Sequence, residues 1–142
     1  MAFPYLACML ATAHWYQLPP RVLPSIHVVE GGWVGAVHTN TDGSQDLGVM
    51  QINTRWVAPI AATVAARTGR HLSEAVVRDR LINDACFNIA AAGLVLRTYF
   101  VLGGGRDWLR AVGDYHSHTA QLHQDYLLRV TAAAARLFGP PA

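Results

Sequence analysis

One run of sequence constrains this chain more than any other. From Ala85 to Leu102 it reads A-C-F-N-I-A-A-A-G-L-V-L-R-T-Y-F-V-L, with Arg97 as its only charge, and Gly103-Gly104-Gly105 closes it. Asn83 or Asp84 offers an N-cap, and the composition favours a helix. A helix apolar on nearly every face belongs at the centre of a domain. Gly93, in its middle, would let another helix approach closely. No apolar run in the chain reads as long enough to span a membrane.

The other elements arrange themselves around that helix. Residues 5–16 carry helix formers, and Leu18-Pro19-Pro20 breaks the chain. Pro20 suits the first turn of a second helix, which Gly31-Gly32 stops. Val34–His38 and Gln45–Gly48 flank the turn signal Asn40-Thr41-Asp42-Gly43, which predicts a small β-hairpin. Asn53 or Thr54 caps a helix ending near Gly69, and Ser73 caps a short one through Arg80. Asp107 caps a helix to about His116, and Thr119 caps the last, with Leu122, Tyr126, Val130, Ala133 and Leu137 at helical spacing. The expectation is a mainly α, α+β chain: six to seven helices around a central apolar helix, one small hairpin, and a single domain over residues 1–142.

Composition narrows the function classes. With 142 residues, 52% of them apolar and 14% charged, the chain can bury a real core. All eleven basic residues are arginines, scattered from Arg21 to Arg136, and the net charge of +2 gives nucleic-acid binding little support. His116, His118 and His123 cluster, but with no acidic or thiolate partner read at ligand spacing, so no metal site and no cofactor are expected. Ala2–Ala13 is apolar and ends in Ala11-Thr12-Ala13, like a signal-peptidase site. It lacks a preceding positive charge and is short, so it reads as the first helix of a mature fold. Cys8 and Cys86 are either two buried thiols or one disulfide formed in an oxidising compartment; composition leaves both open.

The chemistry concentrates between Glu30 and Asn53. Glu30 is one of only two glutamates and sits where an apolar helix runs into glycines. A lone carboxylate at such an exit is how an acid with a raised pKa is built. Asp46 follows sixteen residues later on a predicted strand. Glycoside cleavage needs an acid for the leaving oxygen and stabilisation of a cationic sugar, which these two would supply across a cleft. The plain alternative is that Glu30 ends a helix and Asp46 serves a turn, and spacing alone does not separate the two.

The residues themselves carry a resemblance. Asn40–Asn53, N-T-D-G-S-Q-D-L-G-V-M-Q-I-N, is similar to a string in the lysozyme superfamily. Two branches share it: the animal c-type lysozymes, and the bacterial lytic transglycosylases of secretion and conjugation systems. Asp84-Ala85-Cys86-Phe87-Asn88-Ile89 and Ala111-Val112-Gly113-Asp114-Tyr115-His116-Ser117 resemble motifs of the second branch. The similarity covers most of the chain, from about Tyr5 to Val130.

What the resemblance implies is specific. The fold would be lysozyme-like and the substrate peptidoglycan glycan strands. Glu30 would be the catalytic acid and then base, producing a 1,6-anhydro-muramoyl end. Asp46 and Tyr115 would be supporting residues, Tyr115 by orienting the glutamate. Met50, Gln51 and Ser44 would lie toward substrate, with Ser44 and Asn53 also ordering the hairpin. Cys8 and Cys86 would pair, the chain would be periplasmic or exported, and its partner would be a secretion, conjugation or pilus component. The alternatives are a lysozyme-type muramidase using Glu30 and Asp46, and a weakly active peptidoglycan-binding assembly module. The chain departs from the branch at Gly31, where serine is usual, and at Val49, Ala85 and His118.

Overall fold

A computed structural model describes residues 4–140. The expected helix start at Ala2 and Phe3 and the expected helix stop at Pro141 lie outside the described residues. Among the described residues, seven helices and three short strands follow one another as α1 (Leu6–Tyr16), α2 (Val22–Glu30), β1 (Val37–Thr39), β2 (Gln45–Leu47), β3 (Ile52–Asn53), a 3₁₀ turn (Thr54–Trp56), α3 (Val57–Thr68), α4 (Glu74–Asn83), α5 (Ala85–Leu102), α6 (Trp108–His116) and α7 (Ala120–Phe138). The fold class is therefore mainly α with a small sheet, as the sequence predicts.

Capping explains most boundaries. Ser73 accepts the Val76 N–H, and Asp107 accepts those of Leu109 and Arg110. Asp84 accepts the Phe87 N–H at 3.0 Å at the start of α5. Gly69 ends α3 in the left-handed conformation, φ 72°. Thr119 holds the N-cap position of α7, but its side chain makes no capping bond.

Two expectations need correction. The hairpin is a three-stranded antiparallel sheet: β3 adds to β2 with Asp46 opposite Asn53 and Leu47 opposite Ile52. Asn53 thus serves as a strand residue and also caps the 3₁₀ turn, accepting the Arg55 N–H. In addition, α5, at 18 residues and a mean hydropathy of 1.6, does reach the length and apolarity of a membrane span. Of that stretch 44% is buried inside the protein, with Ile89, Ala91, Ala92, Val95, Leu96 and Tyr99 in the core.

The chain forms two compact units, residues 1–30 with 93–142, and residues 31–92; α5 contributes to both. In the first, α2 packs on α7, α7 on α6, and α1 on α2. Its core includes Met9, Leu23, Ile26, Leu96, Val112, Tyr126 and Ala133. The expected close approach at Gly93 is present: a Cβ there would collide with Thr12 and lie 2.6 Å from Tyr16 Cδ2, so α1 packs on bare backbone.

In the second unit one buried side chain bonds the strand–turn segment to both α5 and α4. Asn88 is wholly buried on α5. Its Nδ2 donates to the Leu47 and Leu81 carbonyls, both at 2.8 Å, and its Oδ1 accepts the Met50 N–H at 2.8 Å. Gly48 lies against it in the left-handed region, φ 69°, where a Cβ would strike the Leu81 carbonyl and the Asn88 amide. Among the described residues no buried side-chain polar atom lacks a partner. Asn88→Ala would strand three backbone groups, the Leu47 and Leu81 carbonyls and the Met50 N–H, at roughly 1–3 kcal/mol each. A loss of at least about 3 kcal/mol in chemical denaturation is expected, with Asn88→Asp no better, because its carboxylate would face two carbonyls.

Candidate functional site

Glu30 is the last residue of α2 and is half-buried. On α7 the buried stripe is Tyr126, Val130 and Ala133, spaced to face α2. Tyr126 is 1% exposed, and a phenol that deep needs a partner for its hydroxyl. Glu30 provides it: the Tyr126 hydroxyl donates to Glu30 Oε1 at 2.8 Å.

The tyrosine is itself held. His116, at the end of α6, stacks on its ring with centroids 4.6 Å apart and planes within 6°. The Arg129 guanidinium sits 5.7 Å from the ring centroid. Burial, then the negative charge of Glu30, then Tyr115 push the Tyr126 hydroxyl far above the ordinary tyrosine range, against the opposing pull of Arg129. Tyr126 is therefore a fixed donor wherever the protein is folded.

Tyr126 is the residue sequence reasoning missed. It reads as a core position on an amphipathic helix, and it is one. The usable signal was the hydroxyl: a buried tyrosine in a chain with two glutamates must find an acceptor. Tyr115, expected to orient the acid, is buried beside Tyr126, near enough to disfavour ionisation of its hydroxyl.

Asp114 was also passed over as a partner for the histidine cluster. It is 9% exposed, and its Oδ1 lies 3.1 Å from both His118 Nδ1 and His123 Nδ1, with Arg110 Nε 4.0 Å from Oδ2. His118 also meets Tyr99 edge-on. This cluster ties α6 to α7. Among the described residues no group of His, Cys, Asp and Glu is arranged to hold a metal ion.

In the second unit Asp46 is the hub of the sheet. Asn40 Nδ2 donates to its Oδ2 at 3.1 Å, and Asn53 Nδ2 to its Oδ1 at 3.0 Å. Ser44 Oγ accepts from the same two amides, at 3.2 and 3.0 Å, and donates to Asp42 Oδ1 at 2.6 Å. That hydroxyl bond and the Ser44 N–H hold the exposed Asp42 carboxyl below its ordinary value. Ser44 is thus used in ordering the turn. Met50 is fully buried. Gln51 is half-buried and adopts φ 54°, sparsely populated for a residue with a Cβ; its Nε2 folds back to the Gly48 carbonyl at 3.0 Å. Such backbone strain clusters at functional segments. Cys8 and Cys86 are both disulfide-bonded, which fits an oxidising compartment.

No protein-family model matches the chain. It is similar to Protein IpgF of Shigella flexneri, 29% identical over 106 residues, which cover 74% of this chain and 61% of that relative. It is also 29% identical over 121 residues to Protein IpgF of Shigella sonnei, covering 82% of this chain and 71% of the relative. The chain thus spans about three fifths of the length of the first of these relatives.

Tyr126→Phe keeps the ring stacked on His116 and removes only the donor. Folding stability near pH 7, followed by urea denaturation, is expected to fall by about 1–2 kcal/mol.

Proposed function

We propose that this chain is a peptidoglycan lytic transglycosylase in which Glu30 acts first as acid and then as base. The observation that carries the reading is the Tyr126–Glu30 hydrogen bond, which fixes a carboxylate at the end of an apolar helix. The Asn40–Asn53 string and the Ala111–Ser117 segment, with their resemblance to the transglycosylases of secretion and conjugation systems, supply the substrate class.

Glu30, in its protonated form, gives its proton to the glycosidic oxygen between N-acetylmuramic acid and N-acetylglucosamine. The bond to C1 breaks and positive charge develops on the sugar. The carboxylate left behind then takes the proton of the muramoyl C6 hydroxyl, whose oxygen attacks C1 and closes the 1,6-anhydro ring. One group works in both directions. The substrate supplies the nucleophile, so no water is consumed. Tyr126 holds Oε1 through both steps and cannot compete for the proton. Asp46 is a structural hub on this reading, because both its oxygens are occupied by amide donors. The disulfide supports a periplasmic or exported location, and the work there is local wall opening for a secretion, conjugation or pilus machine.

Mass spectrometry of sacculus digests tests the reaction. Wild type should release ends lighter by one water than hydrolysed reducing ends, and Glu30→Gln should lower the rate by roughly 10²–10⁴-fold. Asp46→Asn, with its fold verified, should retain anhydro products. If reducing ends alone appear, the enzyme is a muramidase. If wild type binds sacculi without opening them, the chain is a binding module.

A further inference from the structure

Beside the candidate acid lies a pocket that the bond-breaking chemistry does not use. Val28 and Val29 of α2 and Arg129, Ala132 and Arg136 of α7 enclose about 280 Å³. Arg129 and Arg136 stand seven residues apart, so they share a helix face about 10 Å apart along the axis. Both are exposed, and among the described residues neither has a carboxylate partner. Two valines and an alanine complete the lining, and no acidic side chain joins them. Such a site suits a ligand with an aliphatic body and one or two carboxylates, which guanidinium groups bind bidentately.

Its position narrows the ligand. Val28 and Val29 immediately precede Glu30. Arg129 lies over the ring whose hydroxyl holds Glu30. The Arg129 end of the pocket therefore adjoins Tyr126 and, through its hydroxyl, Glu30. The muramoyl residue carries, through its lactyl ether, a peptide rich in carboxylates. We infer that this pocket receives a carboxylate of the peptide attached to the glycan strand, and that Arg129 and Arg136 make the chain prefer peptide-bearing over bare strands. This rests on the peptidoglycan reading above.

The test measures binding, not cleavage, with the Glu30→Gln full chain so that strands stay intact. Soluble glycan strands with their peptides, and the same strands stripped by an amidase, are titrated by calorimetry. Peptide-bearing strands should bind about tenfold more tightly. The gap should close in Arg129→Ala/Arg136→Ala, persist in Arg106→Ala and shrink with added salt. The paired arginines are exposed, and circular dichroism checks that the double variant is folded. Equal affinity for the two strands, or a gap that survives the double substitution, overturns the inference and leaves the glycan reading standing. Binding to neither strand overturns the glycan reading and this inference with it. An unrelated acidic peptide that competes as well as the free stem peptide overturns the stem assignment in favour of an acidic protein partner.

Discussion

The second unit hangs on three hydrogen bonds from one buried amide. From α5, Asn88 reaches the Leu47 and Leu81 carbonyls and the Met50 N–H. A sheet with strands of two or three residues has almost no stability of its own. Asn88 satisfies backbone groups that the strands leave over. The cost of that arrangement appears at Gly48, which has room for neither a side chain nor an ordinary backbone conformation. From there the constraint passes along the strand–turn segment: Gly48 in the left-handed region, then Val49 and Met50 buried, then Gln51 left-handed as well. The strain at Gln51 is sustainable because both ends of the segment are fixed.

The first unit uses a different device. There the critical polar contact is a buried phenol meeting a half-buried carboxylate, Tyr126 to Glu30, across the α2–α7 packing. Each partner stabilises the other's placement. Burial raises the energy of an ionised Tyr126, so its proton stays, and the proton anchors the glutamate. His116 on one side and Arg129 nearby then limit how the ring can move. The catalytic proposal needs this rigidity, since an acid that must return as a base has to remain at the same point while the sugar changes shape.

The helices were legible because their signals are local. Ser73, Asp84 and Asp107 accept the backbone N–H groups that their cap positions predict, and Gly93 is bare where α1 needs it bare. What was not legible is long-range. The strand β3 is two residues long, too short to show a period, and exists only through pairing with β2. Tyr126 announces itself as core by spacing, but nothing local says that its acceptor lies 96 residues away. Asp114 is a mixed case. Its four-residue spacing to His118 is readable on a helix, whereas the contact with His123 depends on the break between α6 and α7.

Gly31 shows how a sequence departure changes meaning in the structure. As sequence it looks like the loss of a hydroxyl and a loosening of the backbone after the acid. In the structure it has φ 65°, the left-handed turn that ends a helix, where a residue with a Cβ is strained and glycine is not. Next to it Gly32 is constrained in the opposite way: its φ is ordinary, but a Cβ would run into the Gly48 and Val49 carbonyl oxygens. The first glycine is required by conformation and the second by contact. Serine at position 31 would regain a hydroxyl at the expense of roughly 1–2 kcal/mol of backbone strain. Gly31 thus relaxes the turn that follows α2, while the Glu30 carboxylate is held by the Tyr126 hydroxyl.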